Sequence, residues 1–232
     1  PDGDLWIAAD GVAGRLINER SFECLLGHPT QKTETRNNVT ATFRDSKGRI
    51  WLGTAQRGLY CWSEGRLERL PDPALDKVAV SSLAEDPRGF LWVGTDWGLL
   101  CYDAQLQKQA RPFPSHPVRA LLVDRQGVVW VGTSGNGLAR IGPTGESVLR
   151  KADGLADDLV TALAEDKEGN LWIGTRNGLS QLSDVKFPTF GKNEGLSADV
   201  VVALCPARAG GLWVATAQGV ANGRRQVELC MG

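Results

Sequence analysis

The chain has 232 residues, with 26 Lys and Arg against 27 Asp and Glu, so its formal net charge is −1. This balance, without a run of basic residues, argues against nucleic acid or an anionic membrane as a partner. The longest apolar stretch, residues 200–205, is far short of the roughly 18 residues that a membrane helix needs. Only two His are present, which disfavours metal and acid–base chemistry. The chain starts at Pro1 without a Met, so we expect an excised piece of a longer protein.

One pattern recurs six times along the chain: a Trp between apolar residues, with a Gly three positions before it. The six residues are separated by 38 to 45 positions and are Trp6, Trp51, Trp92, Trp130, Trp172 and Trp213. A period of about 40–45 residues with one Trp per unit is typical of a four-stranded propeller blade. The predicted repeats cover residues 1–28, 29–71, 72–114, 115–153, 154–195 and 196–232, within a single propeller domain that spans the chain.

The content of each repeat indicates β-structure. Six residues before the Trp, four repeats carry an Asp that opens an Asp-x-x-Gly sequence: Asp45, Asp86, Asp124 and Asp166. This sequence predicts a tight hairpin in which the Asp caps backbone amides and the Gly adopts the left-handed conformation. The Trp itself lies mid-strand and is predicted to be core. Two residues beyond it, a Gly or Ala leaves room for a neighbouring sheet.

In the fifth repeat we predict strands at about residues 160–165, 170–175, 178–182 and 186–190, and the same division applies to the others. The fold prediction is therefore an all-β propeller with six four-stranded blades, of which the first lacks its first strand. The last strand is expected at residues 226–230. The missing strand favours a fragment of a larger propeller, with a seven-bladed or a tandem arrangement as the alternatives.

Residues 154–179 carry a longer pattern that is nearly whole. It begins Gly-Leu-x-x-x-x-Val and ends Asp-x-x-Gly-x-Leu-Trp-x-Gly-Thr-x-x-Gly-Leu. This pattern resembles the two-component regulator propeller repeat. The resemblance extends over the whole chain in six copies, although the first and last copies are degenerate. It implies a periplasmic or other extracytoplasmic sensor domain of a membrane-anchored receptor, upstream of a histidine kinase, hybrid kinase or diguanylate cyclase. The resemblance also implies a small-molecule or oligosaccharide ligand, since several relatives sense oligosaccharides, and it is compatible with a homodimer formed through the full-length receptor.

In each blade of a propeller, the loop before the first strand and the loop between the second and third strands lie on the same face. In this sequence these loops vary between repeats. Such variation on a constant scaffold is where binding residues are usually placed. Trp97 is the predicted stacking platform, because it lies in a loop beside Asp96 and breaks the register of the core Trp residues. Trp62 follows the third strand of its repeat and is a weaker candidate. The other predicted ligand-binding residues are Arg36, Arg57, His116, Asp158, Arg176, Asn177 and Asp199.

The sequence predicts no catalytic residue, cofactor or metal site, since His28 and His116 lie two repeats apart and the five Cys lack Cys-x-x-Cys spacing. Cys61 and Cys101 are expected at equivalent positions on adjacent sheets, too far apart for a disulfide. The predicted function is non-catalytic sensing of a small molecule or oligosaccharide. A propeller lyase or glycosidase, with Asp157, Asp158, Asp199 or Asp96 as its acid or base, and a pure protein-interaction propeller are the alternatives.

Overall fold

The computed structural model describes residues 5–9, 12–17, 21–26, 38–109, 116–143, 145–182, 189–192, 196–207, 211–224 and 226–228. These residues form 22 β-strands and two short 3₁₀ turns. The chain folds into two compact units, Pro1–Phe113 and Pro114–Gly232. The division between them falls within two residues of the predicted boundary between the third and fourth repeats. Each unit is described separately below.

The first unit holds three antiparallel sheets whose strands pair in chain order. The first sheet contains β1 (Leu5–Ala9), β2 (Val12–Ile17) and β3 (Ser21–Leu26). The second contains β4 (Val39–Arg44), β5 (Ile50–Thr54), β6 (Leu59–Ser63) and β7 (Arg66–Arg69). A 3₁₀ turn at Pro73–Leu75 leads to the third, which contains β8 (Val80–Glu85), β9 (Leu91–Thr95) and β10 (Gly98–Tyr102).

The second unit holds three four-stranded antiparallel sheets of the same kind. The fourth sheet contains β11 (Val118–Val123), β12 (Val129–Thr133), β13 (Leu138–Gly142) and β14 (Gly145–Leu149), followed by a 3₁₀ turn at Lys151–Asp153. The fifth contains β15 (Val160–Glu165), β16 (Leu171–Thr175), β17 (Gly178–Leu182) and β18 (Thr189–Phe190). The sixth contains β19 (Val201–Pro206), β20 (Leu212–Thr216), β21 (Gly219–Arg224) and β22 (Gln226–Glu228).

These sheets confirm the predicted succession of blade-sized antiparallel units, with two corrections. The third sheet has three strands in the described residues, and its outer edge carries only an isolated bridge from Tyr102 to Lys108 where a fourth strand was expected. Residues 110–115 lie outside the described part. Trp62 does not follow its strand: it lies within β6 and pairs with Ile50 on one side and Leu67 on the other. It is therefore part of the sheet rather than of a loop.

Each Asp-x-x-Gly turn is built as the sequence predicts. In the fourth sheet, Oδ1 of Asp124 accepts hydrogen bonds from the backbone N–H groups of Gln126 (3.0 Å) and Val128 (2.8 Å). Gly127 adopts φ 78°, a conformation that costs other residues free energy. The same turn occurs at Asp45, Asp86 and Asp166, with backbone N–H donors two and four residues later. The turn closes the hairpin between the first and second strands of each of these sheets.

The core lies between neighbouring sheets of each unit. In the first unit it joins the second and third sheets, with Trp51 and Val93 fully buried in one cluster. Small residues allow these sheets to approach closely: a Cβ on Gly53 would lie 2.5 Å from Cγ1 of Val80, which real Cβ atoms do not tolerate. The second unit repeats this contact at Gly132, where the neighbouring atom is Cγ1 of Val160. The Gly two residues after the Trp is thus required by the packing of the next sheet.

The register places Cys61 opposite Trp51 and Cys101 opposite Trp92, so the two thiols hold equivalent positions as predicted. Both carry reduced thiols in the structure. Burial raises the pKa of the Cys61 thiol to about 11, the direction expected for a thiolate that would lose its hydration. Cys61 therefore stays a neutral, small hydrophobic residue at physiological pH.

Candidate functional site

In the second to sixth sheets, a buried Thr at the end of the second strand shapes the loop that follows it. In the third sheet, the Thr95 hydroxyl donates to the carbonyl oxygen of Gly98 at 2.7 Å and accepts from the backbone N–H of Trp97 at 3.2 Å. The same pair of bonds is made by Thr54, Thr133, Thr175 and Thr216. These hydroxyls satisfy backbone groups that the short loop would otherwise leave unpaired, so they hold the loop in one conformation.

The loop after each second strand lies beside the connection that leads into the first strand of the same sheet. The residue after the Thr donates its backbone N–H to the carbonyl oxygen of the residue before the first strand, at 2.8 to 3.1 Å. The donor and acceptor pairs are Ala55 with Asn38, Asp96 with Ala79, Ser134 with Pro117, Arg176 with Leu159 and Ala217 with Val200. We call this end of each sheet its loop end, and the end with the Asp-x-x-Gly sequence its turn end.

Trp97 lies at the loop end of the third sheet and is 74 % exposed. Its neighbour Asp96 is anchored twice to Ala79: the backbone N–H of Asp96 donates to the Ala79 carbonyl, and Oδ1 of Asp96 accepts from the Ala79 N–H at 3.0 Å. Thr95 holds the Trp97 backbone from the other side. The loop is therefore fixed while the indole ring lies in solvent, which is the arrangement that a stacking platform requires.

Arg57 lies at the loop end of the second sheet with an exposed side chain. Its carbonyl oxygen accepts a hydrogen bond from Nε of Arg69 at 2.9 Å, and Arg69 also pairs with Asp76 on the connection that follows. The loop backbone is thus tied to the segment between the second and third sheets. Arg36, the other Arg predicted for this unit, lies outside the described residues.

In the second unit, Asp158 joins two loop ends. Its carbonyl oxygen accepts from the backbone N–H of Gly137 at 2.8 Å, and its Oδ1 accepts from the N–H of Lys151 at 2.7 Å. Asp199 repeats the second bond with Lys192 at 2.9 Å, seven residues earlier in each case. One carboxylate oxygen of each predicted ligand-binding Asp therefore caps its own connection, which is a structural role that the sequence analysis missed.

That role had a signal in the sequence. Gly-Leu-x-x-Asp occurs at residues 154–158 and again at 195–199, so Asp158 and Asp199 are repeated rather than variable. The Asp residues of the Asp-x-x-Gly turns are likewise repeated and cap backbone N–H groups, so the repetition of this pair indicates a structural role as well. By contrast, Asp157 is not repeated, and its Oδ2 accepts from the side-chain amide of Asn177.

The structure brings several polar side chains of the second unit together around these loops. Asn177 contacts Asp157, and the Arg150 guanidinium donates to Oδ1 of Asn136 at 2.8 Å. Arg176 is exposed next to Asn177. Of these residues, Asn177 and Arg176 were predicted as ligand-binding, whereas Arg150 was missed because it lies in a different connection and only the tertiary structure places it beside Asn136.

His116 is half-buried in the connection before β11, and its Nδ1 is buried without a hydrogen-bond partner among the residues that the structure describes. In that part of the chain no carboxylate orients the ring through Nδ1, and such orientation is what a general base normally requires. In the part of the chain that the structure describes, no three His, Cys, Asp or Glu side chains are grouped as metal ligands would be. The same part of the chain holds no helix with the length and hydropathy of a membrane span.

Four stretches of the chain match the family described as two component regulator propeller: residues 33–56, 75–97, 112–135 and 154–177. Each stretch runs from the connection before a first strand to the loop after a second strand, so it contains one loop end. None of the curated proteins compared with this chain matches it.

Solved structures share the fold. The extracellular domain of a protein assigned as a hybrid two component system from B. thetaiotaomicron superposes with a TM-score of 0.81 and 21% identity, covering 95% of this chain and 31% of that one. Virginiamycin B lyase from Staphylococcus aureus gives 0.76 and 13%, covering 98% of this chain and 80% of that one. PorZ, a surface component of the type-IX secretion system of Porphyromonas gingivalis, gives 0.75 and 18%, covering 94% and 37%. This chain thus spans less than a third of the first of these structures. The likeness establishes the all-β propeller fold.

Proposed function

We propose that this chain, four stretches of which match the two component regulator propeller repeat, acts as a non-catalytic, extracytoplasmic sensing module of a bacterial signal-transduction receptor. Its similarity in fold to the extracellular domain of a hybrid two component system supports this proposal. The repeats provide a rigid scaffold of hydrogen-bonded sheets, and the variable loop ends provide the contacts. In this proposal the output module is a kinase or cyclase elsewhere in the receptor.

The observation that carries the proposal is Trp97. Trp51 and Trp92, which stand at repeat positions of the first unit, are fully buried, whereas Trp97 is 74 % exposed on a loop that three hydrogen bonds hold in place. Exposing a large aromatic ring costs hydrophobic stabilisation that burial would supply. Because its loop is already ordered, the ring can contribute to binding without the entropic cost of ordering that loop.

The ligand class in this proposal is an oligosaccharide bound at the loop ends. Sugar rings present apolar C–H faces that stack on an indole, and their hydroxyls pair with carboxylates, amides and guanidinium groups. The first unit has Arg57 and Asp96 at its loop ends, beside Trp97, and these are side chains of such types. The second unit, taken by itself, has Arg176 and Asn177 at a loop end. Asp158 and Asp199 each keep a second carboxylate oxygen beyond the one that caps the connection. Charged Arg groups extend the class to oligosaccharides that carry carboxylates.

The competing hypothesis is a propeller enzyme, since virginiamycin B lyase shares the fold. At 13% identity that likeness concerns the fold and not the chemistry. Catalysis of this kind needs a general base within hydrogen-bonding reach of an orienting group. The buried, unpartnered Nδ1 of His116 offers no such pair, and Asp158 is used as a cap. These features favour binding over catalysis.

The experiment is a screen of the chain against a panel of neutral and uronic-acid-containing oligosaccharides, followed by calorimetry on the hits. Trp97→Ala is expected to weaken binding by about 1–3 kcal/mol, which is about 5- to 150-fold in Kd. Val148→Ala, an exposed residue on β14, is the matched control and should leave Kd unchanged. Unchanged affinity in Trp97→Ala, or turnover of any of the sugars, would contradict the proposal.

Trp97→Ala must also leave the fold intact for that result to be interpreted. Because its ring is in solvent, we expect its free energy of unfolding to change by less than about 0.5 kcal/mol. Trp92→Ala in the same sheet removes a ring that is 0 % exposed and should cost about 3–5 kcal/mol. Urea unfolding of both variants measures the difference, and equal destabilisation would show that Trp97 is a packing residue.

A further inference from the structure

The loop end of the third sheet carries a Lys and an Asp on the two segments that meet there. Lys77 lies in the connection before β8, two residues before Ala79, and Asp96 begins the loop after β9. Two hydrogen bonds join these segments, one from the Asp96 N–H to the Ala79 carbonyl oxygen and one from the Ala79 N–H to Oδ1 of Asp96. Lys77 therefore lies close to the loop that presents Trp97.

The fifth sheet has the same two positions with the charges exchanged. Asp157 stands in the connection and Arg176 in the loop, and the Arg176 N–H donates to the carbonyl oxygen of the residue before the first strand, as in the third sheet. In the sixth sheet both positions are Ala, at Ala198 and Ala217. In these three sheets, opposite charges thus occupy both positions or neither.

At both charged loop ends the backbone holds the carboxylate. Oδ1 of Asp96 accepts from the N–H of the residue before β8 at 3.0 Å, and Oδ1 of Asp157 accepts from the N–H of the residue before β15 at 2.8 Å. Among the described residues, neither the Lys77 ammonium nor the Arg176 guanidinium has a hydrogen-bond or ion-pair partner, and both side chains are exposed. Each of these loop ends therefore keeps one unpaired cation.

Lys77 also stands where the backbone favours Gly. Its φ of 57° lies in the left-handed region, which is unfavourable for a residue with a Cβ. The 3₁₀ turn of the second unit is followed by a Gly in that region, Gly154. Leu106 shares the conformation but packs against the core, and Glu64 adopts it in a two-residue hairpin loop that needs it. The exposed Lys77 side chain has no such structural reason, and strain of this kind is typical of functional positions.

We propose that Lys77 recognises a negatively charged group of the ligand at the Trp97 loop end, so that this site selects an acidic oligosaccharide over a neutral one. The ammonium supplies a charge-assisted hydrogen bond to a carboxylate or sulfate, while the Trp97 indole stacks on a sugar ring. Arg176 is the basic residue of the corresponding loop end in the second unit. The inference rests on the proposed function, because it specifies the ligand class of the same loop ends, and it assigns a residue that the sequence analysis missed.

The test compares charged and uncharged forms of the same sugar by calorimetry on the 232-residue chain at low salt. One pair is an oligogalacturonate and its methyl ester, and the other is a sulfated galactan oligosaccharide and its desulfated form. Within each pair the ratio of the two Kd values measures charge recognition, and the pair that shows a preference identifies the charged group. Arg44→Gln is the matched control, because Arg44 is an exposed cation of the same unit at the turn end of the second sheet.

In the wild type we expect the charged form of at least one pair to bind at least about tenfold more tightly than the neutral form. Lys77→Gln should reduce that ratio to about twofold or less and leave the Kd of the neutral form unchanged, whereas Arg44→Gln should keep the wild-type ratio. Equal affinity for both forms in the wild type, or an equal loss of the ratio in both variants, would overturn the inference but leave the proposed function standing. If no form of either sugar binds, both are wrong.

Lys77→Gly separates recognition from stability. It should abolish the charge preference and at the same time raise the urea midpoint, because relief of the left-handed strain outweighs the greater freedom of Gly in the unfolded chain. Opposite effects on binding and stability are expected only where a strained residue is retained for function. A lower midpoint would show that Lys77 is not strained, and an unchanged charge preference would assign recognition to another side chain.

Discussion

The indole N–H of Trp130 donates a hydrogen bond to Oδ2 of Asp124 at 2.8 Å, six residues earlier in the chain. The other oxygen of that carboxylate caps two backbone N–H groups of the turn. The same pairing occurs between Asp45 and Trp51, Asp86 and Trp92, and Asp166 and Trp172, at 2.7 to 3.3 Å. Each Asp carboxylate therefore binds both the turn backbone and the indole ring of its blade. One side chain stabilises the turn and also holds the Trp in position.

Loss of this carboxylate should destabilise the fold. Asp124→Ala leaves the Trp130 indole N–H and the N–H groups of Gln126 and Val128 without their acceptor, and unsatisfied polar groups in a partly buried site cost about 2–4 kcal/mol together. Urea unfolding measures the change. Glu146→Ala, at an exposed position of β14 in the same sheet, should stay within about 0.5 kcal/mol. Equal effects of the two substitutions would show that the Asp–Trp bond contributes nothing.

Stability should fall in acid because of the same carboxylates. Burial by itself would raise the pKa of Asp45, but hydrogen bonds from the Trp51 indole and from Arg49 outweigh it and hold this pKa below its usual value. The pKa of Asp166 is lowered in the same way, against burial, by hydrogen bonds from Asn170 and Trp172.

A carboxyl whose pKa is lower in the folded state stabilises the fold fully above its ordinary pKa of about 3.9. That contribution is lost as the pH falls through the folded value, because the unfolded chain takes up protons first. We expect the free energy of unfolding to be flat with respect to these groups from pH 7 to about 5 and to drop below about pH 4. Urea titrations at each pH measure it, with Asp45→Asn as the variant in which the drop is smaller. A wild-type profile that stays level down to pH 3 would contradict this account.

Close approach of the sheets should be sensitive to a single methyl group. Gly132→Ala places a Cβ about 2.6 Å from Cγ1 of Val160, whose side chain is fully buried. Overpacking of this kind costs about 1–3 kcal/mol. The double variant Gly132→Ala with Val160→Ala should recover part of that loss, since the second change makes room for the first. A double-mutant cycle from thermal or urea unfolding measures the coupling, and strictly additive effects would show that the two sites do not touch.

The sequence alone determined the fold class and the register of the repeats. Trp, Gly and Asp recur at constant offsets because the backbone of every hairpin needs a left-handed residue and a cap at the same places. Strand β15 runs over Val160–Glu165 as predicted, and β17 runs over Gly178–Leu182. These features depend on interactions within a few residues of each other, and a repeated sequence reports each of them several times.

Sequence reasoning was less successful for contacts outside the repeated Asp-x-x-Gly turn. The bond from Arg150 to Asn136, the use of Asp158 and Asp199 as caps, and the place of Trp62 within β6 were all missed. Exposure of Trp97 was anticipated because it breaks the repeat pattern, but exposure of Trp213 was not, because it follows the pattern.

Trp213 occupies the same local position as Trp51, yet it is 40 % exposed where Trp51 is fully buried. Burial of a repeat residue is a property of the neighbouring repeat, since the hydrophobic contact needs two surfaces. Local sequence determines the conformation of each blade, whereas only the tertiary packing of one sheet on the next decides which of its identical side chains are core and which are surface.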